Sequence, residues 1–526
     1  MQDTPRRFFW PALILAVLAL PGAPARAAGA ADEQAVVEVT VLVPPDAEVF
    51  FDGAPTVQKG GERLFLSPPL PVGKKYHYDV VARWKEGDKT VQQTRQVEVA
   101  GGAKVRVDFL TPVPVSTEKR VAVGKSIGLP GRLFSREGGP KNLWQPVGDK
   151  AAVFSDDLLI GLLADEIETT DGAVHFRLLK YFNSPLPVLE PAASLHQSAG
   201  FDLDFTLERG MVEVWNAKPK GSARIQIRAR GETWEAVLEE PGAKLLVEFY
   251  SGWPKGARFT KKPGPKDVPI ARMTFLVLNG QVDLKHGGKQ LAMSAPPGPA
   301  IIEWDSATGM DDSPQRLEEL PAWVLPPKDD ASKAYAKKME DLVGRFSDEV
   351  VKTKSVDSAI DKFLASDDAL DRRLAVISLA ATDQLPRLAT ALKETDKPDV
   401  WENAVLAVRH WIGRGPGQDL ALYQGMVDAK TFTPREAETF LQLLHDFGDD
   451  DLARPVTYEM LIHLLDSDKQ FIRGLAYWHL SRLAPEGKKF GYEPFAPQEG
   501  RDAAVKKWKE YIPAGKMPPA PKEDGK

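Results

Sequence analysis

The side chains that could do metal chemistry in this sequence are its eight histidines. They are His77, His175, His196, His286, His410, His445, His463 and His479. None lies in an HxH, HExxH or HxxxH arrangement, the spacings that bring two imidazoles to one zinc ion. His410, His463 and His479 fall in helical patterns beside Trp or Leu, where a packed or surface imidazole is the more common outcome. The sequence therefore predicts no metal site.

Two acidic clusters are the candidates for carboxylate chemistry. The run Asp446-Phe447-Gly448-Asp449-Asp450-Asp451 lacks the alternating acids, central glycine and distal glutamate of an EF-hand loop, so we interpret it as a helix cap before Leu452. Asp156-Asp157 resembles a paired-carboxylate site. Glycoside hydrolysis, however, needs a second, spatially opposed carboxylate, which the sequence does not identify.

Aromatic residues supply the remaining candidates. Four tryptophans of the β-rich part could stack on sugars, and four more lie in helical patterns: Trp215, Trp234, Trp253, Trp304, Trp401, Trp411, Trp478 and Trp508. We expect most of them to be buried by packing. No GxSxG, Walker or dinucleotide-binding motif with the right flanks occurs. The sequence thus predicts no catalytic and no cofactor-binding residue, and a protein that is not an enzyme.

The composition excludes further classes. The 526 residues include 68 basic and 74 acidic side chains, and a net charge of −6 gives no electrostatic reason to bind nucleic acid. The chain has no cysteine, which excludes disulfides, thiolate metal sites and the lipid anchor of bacterial lipoproteins. The length predicts about three domains.

The N-terminal segment has the features of a secretory signal. Arg6-Arg7 precedes an apolar run from Phe8 to Leu20, and Ala25-Arg26-Ala27 supplies small residues for cleavage. We predict a signal peptide over residues 1–27, with cleavage after Ala30 as the alternative. The apolar run is short for a membrane span, although an uncleaved N-terminal anchor stays open. We expect no integral membrane span in the mature chain.

Residues 35–110 alternate as short strands. Val36–Val43, Tyr76–Trp84, Thr94–Val99 and Val105–Phe109 are rich in β-formers, and Asp52-Gly53 is a hairpin turn signal. This pattern predicts a small β-sandwich. Residues 43–53, Phe65–Leu70 and Gly73–Tyr76 together resemble a short β-domain of planctomycete exported proteins. That resemblance implies export and no activity.

Residues 121–327 also predict an all-β module, with a long series of hairpins whose turns fall at Gly210, Gly231, Gly242 and Gly280. Leu143-Trp144, Ser155–Leu159, Gly172–Val174 and Leu207–Val214 resemble a FecR-like domain. FecR proteins sense signals in the envelope and pass them to a cytoplasmic regulator. Because almost nothing precedes the apolar run in this sequence, we do not expect the cytoplasmic partner-binding segment of that family, nor direct control of a sigma factor.

Residues 331–513 change to a period of three and four. Apolar positions over Ala359–Leu379, Asp399–Val408 and Asp468–Leu480 predict amphipathic helices, with Asp399 as an acidic cap after Pro398. Because such helix pairs must stack to bury their faces, an α-helical solenoid follows. The pattern resembles HEAT repeats. We predict a disordered tail over residues 514–526.

These observations predict a multidomain β plus α chain that is exported to the periplasm or cell envelope. The expected function is that of a scaffold or adaptor, which binds envelope proteins through β-modules and a helical solenoid. The sequence leaves open a FecR-like extracytoplasmic sensor, and an envelope carbohydrate-binding protein or hydrolase with a polysaccharide as ligand.

Overall fold

The computed structural model describes residues 34–519, except 52–53, 72–74, 87–88, 110–119, 138–142, 163–164, 180–189, 265–266, 322–323, 326, 393–396, 429 and 431. The predicted signal, the Asp52-Gly53 turn and residues 520–526 of the predicted tail lie outside the described residues. The chain forms two compact units, the first comprising Met1–Thr117 with Thr260–Val268, the second Glu118–Phe259 with Pro269–Lys526. The predicted modules 121–327 and 331–513 therefore share one unit.

The first unit is built from short strands on two main sheets. Its strands are β1 (Gln34–Ala35), β2 (Glu38–Leu42), β3 (Glu48–Phe51), β4 (Ala54–Pro55), β5 (Glu62–Leu66), β6 (Leu70–Pro71), β7 (Lys75–Glu86), β8 (Lys89–Ala100) and β9 (Lys104–Asp108). One sheet has the order β5-β2-β9 and the other β4-β3-β7-β8. Alternate residues of both sheets, such as Val39, Val80 and Val107, form one buried core.

Seventeen further strands form the β-module of the second unit. They are β10 (Ala122–Ser126), β11 (Leu133–Arg136), β12 (Gln145–Pro146), β13 (Ala152–Phe154), β14 (Leu158–Gly161), β15 (Asp165–Thr169), β16 (Val174–Leu179), β17 (Ala192–His196), β18 (Leu203–Asn216), β19 (Ala223–Ala229), β20 (Glu232–Leu238), β21 (Lys244–Gly252), β22 (Ile270–His286), β23 (Lys289–Ala295), β24 (Ala300–Asp305), β25 (Gly309–Met310) and β26 (Gln315–Arg316).

The strands of this module form two sheets. The first sheet contains β10, β13, β15, β16, β21, β24, β25 and β26, and the second contains β11, β12, β14, β17, β19, β20 and β23. The long strands β18 and β22 belong to both sheets. The first half of β18 pairs with β17 and β19 in the second sheet, and its other half pairs with β16 and β21 in the first sheet. Strand β22 does the same, pairing first with β21 and β24 and then with β20 and β23. The strands β18, β19, β20, β22 and β21 consequently form a closed ring of hydrogen-bonded neighbours.

The predicted turns at Gly210 and Gly280 are wrong. Both glycines lie inside continuous strands, with φ of +85° and +76°, at the points where β18 and β22 change sheets. A glycine with positive φ bends a strand without ending it, which the sequence signal does not distinguish from a turn. Gly231 and Gly242 do lie between strands.

The helical region follows the β-module in sequence, as predicted. Its α-helices are α1 (Asp330–Thr353), α2 (Val356–Leu364), α3 (Ala369–Ala381), α4 (Leu385–Ala391), α5 (Pro398–Gly413), α6 (Gln418–Asp428), α7 (Pro434–Leu444), α8 (Asp449–Leu452), α9 (Pro455–Leu464), α10 (Gln470–Leu483) and α11 (Gln498–Tyr511), with a 3₁₀ helix over Pro485–Phe490.

These helices pack as a ladder, which we call the helix ladder. Consecutive helices contact each other, and α1, α3, α5, α7 and α10 also contact along a second row. One continuous apolar core runs through the ladder and includes Phe134 and Leu162 of the β-module. In the predicted tail, the described Gly515 amide donates a hydrogen bond to Glu459.

The helical pattern over Ala359–Leu379 corresponds to two helices, α2 and α3, because Asp368 caps a new helix by accepting from the Leu370 amide at 2.8 Å. One detail of the helical prediction is wrong. Asp399 is not the cap of α5, since Pro398 occupies the first helical turn before it. Asp399 instead accepts hydrogen bonds of 2.8 and 2.9 Å from Arg372 of α3.

Candidate functional site

The neighbouring carboxylates Asp156 and Asp157 bind different partners. Asp157 is 3% exposed and accepts two hydrogen bonds from the Arg120 guanidinium, at 3.1 and 2.7 Å. Asp156 has a φ of +61°, and its carboxylate lies 2.6 Å from Nδ1 of His196. A backbone in this conformation turns the two side chains apart. Asp157 is thereby committed to an ion pair that holds the start of the β-module, and it is not available for hydrolysis as a pair with Asp156.

Asp156 begins a hydrogen-bond chain on the outer face of the second sheet. His196 Nδ1 contacts Asp156, and His196 Nε2 lies 2.7 Å from the Thr206 hydroxyl. The order acid, imidazole, hydroxyl is that of nucleophilic triads. Thr206, however, lies in mid-strand and pairs with Ser194 on one side and Arg228 on the other. Its backbone N–H and C=O groups take part in the hydrogen bonding of the sheet, so they are not available as the oxyanion-hole donors that such a nucleophile needs.

An ion pair with a buried carboxylate lies beside this chain of hydrogen bonds. The Asp204 side chain is fully buried and accepts from Arg228 at 2.9 and 2.6 Å, and the Ser198 hydroxyl donates to the same carboxylate. The bidentate hydrogen bonds raise the pKa of Arg228 above its ordinary value. Because Leu203, Phe205 and Leu207 alternate with these polar residues and enter the core, the strand period places the ion pair on the outer face.

Polar side chains also occupy successive strands of this face in register. His196 is opposite Asp204, Asp204 opposite Gln226, and Gln226 opposite Glu235. The row continues from Glu235 to Lys285 and from Lys285 to Gln290. Neighbouring strands lie about 4.8 Å apart, so the row extends for about 24 Å. We call these six residues the polar row.

A shallow cavity of about 270 Å³ opens beside the middle of the polar row, at Gln226, Glu235 and Lys285. It is lined by Phe201, Gln226, Thr233, Trp234, Glu235, Lys285, His286 and the Gly287-Gly288 turn. Trp234 is fully buried beneath it and stacks on the His286 imidazole at a centroid distance of 4.7 Å. The cavity is shallow and open, and its volume is close to the lower end of the volumes found for small-molecule sites.

A second polar cluster lies on the outer face of the first sheet. Glu166 accepts from Arg177 at 2.8 Å and lies 2.6 Å from His175 Nδ1. Arg177 and Lys244 both lie over the Trp215 ring, at 5.0 and 5.1 Å from its centroid. The hydrogen bonds from Arg177 lower the pKa of Glu166 despite its partial burial, which raises it. The Glu166 carboxylate and the Arg177 guanidinium of this cluster are thus paired with each other.

Glu248 of β21 is an acid of this module whose pKa is strongly raised. Burial raises its pKa to about 7, and the carboxylate of Glu303 adds to the effect. The two acids are separated by Thr274, which is opposite Glu248 on one side and Glu303 on the other. Among the described residues no hydrogen bond to the Glu248 carboxylate is present. Glu248 therefore titrates near neutral pH without an obvious ligand.

Three of the four histidines of the helix ladder, His410, His445 and His479, are buried in it, whereas His463 is exposed. His479 is 3% exposed, and its Nε2 lies 2.7 Å from the Leu443 carbonyl; burial lowers its pKa to about 4. Burial also lowers the pKa of His410 well below its ordinary value. Both imidazoles are thus neutral at pH 7. Within the described ranges, no three His, Asp or Glu side chains converge as ligands for a metal ion.

Most of the candidate tryptophans are buried. Exposed fractions of 9% or less apply to Trp234, Trp304, Trp401, Trp411, Trp478 and Trp508. Trp215 is partly exposed but surrounded by cations, and Trp253 packs against the core of the helix ladder. None of these eight tryptophans therefore supplies the floor of an open sugar site by itself. Phe201 is the partly exposed aromatic residue beside the cavity, and the Trp234 side chain there is fully buried.

Side chains of the β-module cap helix ends of the ladder. Trp144 Nε1 donates to the Thr382 carbonyl at 3.1 Å, and Arg209 donates to the Ala381 carbonyl at 2.7 Å. These carbonyls at the end of α3 have no partner within the helix. Arg414 donates to Asp383 at 2.9 Å in the same buried area, where burial, and next the Arg209 guanidinium, lower its pKa to about 9.

The end of α5 is capped in the same way. Trp253 Nε1 donates to the Ile412 carbonyl at 3.0 Å, and the Ser251 hydroxyl donates to the Gly413 carbonyl at 2.8 Å. Arg230 donates to the Arg414 carbonyl at 3.1 Å. Cationic and N–H donors at helix C-termini stabilise both the free carbonyls and the helix dipole. This joint is structural, and sequence reasoning missed it because the donors and acceptors are up to about two hundred residues apart.

The predicted acidic cluster also joins the two parts. Asp449, Asp450 and Asp451 form the first turn of α8 with Gly448 as its N-cap. Asp449 is paired with Lys255, and Asp451 accepts from Arg258 at 2.6 Å. The acids thus lie in a helix start, where negative charge is favourable, and two of them bind cations of the β-module.

Comparisons with known proteins yield no relative for this chain. No protein-family model, no curated protein sequence and no solved structure matches it. Among the helices that the structure describes, none combines the length and apolarity needed to cross a membrane. The function must therefore be inferred from the molecule itself.

Proposed function

We propose that the protein is an exported scaffold or adaptor of the cell envelope, which binds protein partners through its helix ladder and its β-rich regions. The observation that carries this proposal is the joint between the β-module and the ladder, where five side chains of the β-module cap the ends of α3 and α5. Helix ladders present extended surfaces that suit protein partners. A ladder fixed along one edge keeps its other faces in a defined geometry, which lowers the entropic cost of binding.

One exposed apolar pair on the ladder is a candidate contact point. Val456 and Met460 of α9 are 56% and 36% exposed and lie one helical turn apart. Two apolar side chains at this spacing on a fixed helix can insert together into a partner. We propose that α9 takes part in partner binding.

Each of the three regions also suggests a family. We infer that the two-sheet first unit is the small β-sandwich of planctomycete exported proteins, the β-module a FecR-like domain and the ladder a HEAT-like solenoid. Stacked helices with one continuous core support the last of these. We also propose export with cleavage after Ala27. N-terminal sequencing of the native protein should then begin at Ala28, whereas a membrane-bound chain that begins before Phe8 would indicate an anchor.

Partner binding is tested with the whole mature chain as bait. The isolated ladder is unsuitable, because it would lose the side chains that cap α3 and α5. Cross-linking in native envelope extracts should enrich the same protein reproducibly, and Val456→Asp with Met460→Asp should reduce its recovery at least tenfold. Lys337→Glu with Lys338→Glu, on the exposed side of α1, is the control and should retain it. If no protein is enriched reproducibly, the scaffold proposal fails.

A further inference from the structure

The outer face of the second sheet has the composition of a surface that binds a ligand. Along the polar row, the acceptor Glu235 lies between Gln226 and Lys285, which can donate. The next acid, Asp204, is buried, and the Arg228 guanidinium that pairs with it is 40% exposed in its place. Acidic and basic side chains are interspersed, so the face has no large excess of either sign. A surface of this kind does not favour a nucleic acid or another polyion.

Several of these side chains are held in place but remain accessible. Glu235 accepts from Arg224 at 3.1 Å and from Lys285 at 3.4 Å, and the three side chains are 25%, 47% and 42% exposed. Exposed ion pairs contribute little to stability. A ligand can therefore share or replace these hydrogen bonds at small cost, while their geometry is set beforehand.

The cavity beside the polar row contains hydrogen-bonding groups that have no side-chain partner among the described residues. Within the described chain, neither the Gln226 amide nor the Thr233 hydroxyl makes a side-chain hydrogen bond, although both line the cavity. Phe201 supplies an apolar wall, with the Arg224 guanidinium 4.9 Å from its ring centroid. The Gly287-Gly288 turn supplies the opposite rim, where a β-carbon would find no atom within 4 Å.

We propose that this face binds a neutral polysaccharide, with one sugar ring in the cavity and further sugars along the polar row. A sugar ring presents hydroxyl groups, which donate and accept, around an apolar ring face. Gln226, Thr233, Glu235 and Lys285 match the hydroxyls, and Phe201 matches the apolar face. The length of the row, about 24 Å, suits an extended chain and exceeds what a single small molecule would use.

This inference goes beyond the scaffold proposal and does not depend on it. Protein partners would bind the helix ladder and the remaining β-surfaces, whereas the polysaccharide would bind the outer face of strands β17, β18, β19, β20, β22 and β23. A chain that binds both would tether its protein partner to envelope polysaccharide. Loss of sugar binding should leave protein capture unchanged, so the two proposals can fail separately.

The test is affinity electrophoresis of the whole mature chain in native gels that contain one soluble polysaccharide each. The neutral probes are mannan, dextran, xylan and hydroxyethyl cellulose, and polygalacturonate is the anionic probe. We expect at least one neutral polysaccharide to retard the protein. Glu235→Ala with Lys285→Ala should weaken that binding at least tenfold, and Thr233→Trp, which fills the cavity, should do the same.

The matched control is Arg272→Ala with Asp305→Ala. These residues form an exposed ion pair of 3.1 Å between neighbouring strands of the first sheet, and their loss should leave retardation unchanged. Circular dichroism of each variant shows whether it is folded. The proposal is overturned if no neutral polysaccharide retards the protein, if only polygalacturonate does, or if the folded cavity variants bind as well as the control.

Discussion

The backbone of Gly413, the last residue of α5, rests directly on the backbone of Gly252 at the end of β21. A β-carbon on Gly413 would lie 2.9 Å from Cα of Gly252 and 3.2 Å from the Trp253 nitrogen. A similar contact joins Gly256 and Gly448, where a β-carbon on Gly256 would lie 2.9 Å from Cα of Gly448. The β-module and the helix ladder thus meet through glycine backbones at two points.

We predict that Gly413→Ala destabilises the protein by about 1–3 kcal/mol, since backbone atoms at this contact cannot move aside without separating α5 from β21. Chemical denaturation measures the change. The control is Gly425→Ala in α6, where a β-carbon meets nothing within 4 Å. Alanine there should stabilise by about 0.5–1 kcal/mol. Equal effects of both substitutions would contradict the contact.

Removal of a helix cap at the same joint should also be measurable. Ser251→Ala deletes the 2.8 Å hydrogen bond to the Gly413 carbonyl and leaves that buried acceptor with less compensation. We expect a loss of about 1–2 kcal/mol in the free energy of unfolding. Ser347→Ala is the matched control, because the buried Ser347 hydroxyl has no partner among the described residues. That change should be neutral or stabilising.

Glu248 should make the stability depend on pH. Its folded pKa is about 7, compared with an ordinary value of 4.5, so the folded state retains a proton that the unfolded state has released. Its contribution to stability consequently falls as the pH rises from about 4.5 to about 7. Glu248→Gln removes this loss.

The variant Glu248→Gln should therefore be more stable than the wild-type protein at pH 8, by about 2 kcal/mol, and the advantage should shrink toward pH 5. Urea denaturation at several pH values measures it. Glu303→Gln should reproduce a smaller part of the effect, because its carboxylate raises the pKa of Glu248. An advantage that is the same at pH 5 and pH 8 would rule out titration of Glu248 as its cause.

The two neighbouring aspartates should respond differently to substitution. Asp157→Asn leaves the Arg120 guanidinium without its charged partner, and we expect a loss of about 2 kcal/mol. Asp156→Asn should change the stability by less than about 0.5 kcal/mol, since its side chain is 54% exposed and asparagine tolerates positive φ. Thermal unfolding of both variants compares them. A larger effect at position 156 would contradict the assigned contacts.

The alternation of polar and apolar residues predicted most strands correctly, and the three- and four-residue period predicted the helical region. The predictions that failed concern single positions. Gly210 and Gly280 were expected as turns, because a glycine with positive φ has the same sequence signal whether the strand ends or bends. The cap of α5 was expected at Asp399, but Pro398 precedes it in the first turn of the helix.

The candidate site was largely beyond sequence reasoning. The pattern of β18, β19 and β20 indicates which residues face outward, but it does not say which strands are neighbours. Strand β19 pairs with β18 in parallel and with β20 in antiparallel orientation. Only this arrangement brings Asp204, Gln226 and Glu235 into one row.

The sequence by itself determined the order of β-rich and helical regions, the apolar faces and the lack of any cysteine chemistry, because these follow from residue type and local period. The tertiary structure decided that the β-module and the ladder form one unit and that Trp253 caps α5. It also decided that the row from His196 to Gln290 lies on a single face. Such contacts join residues distant in the chain, and their energies depend on distance and burial, which local sequence does not encode.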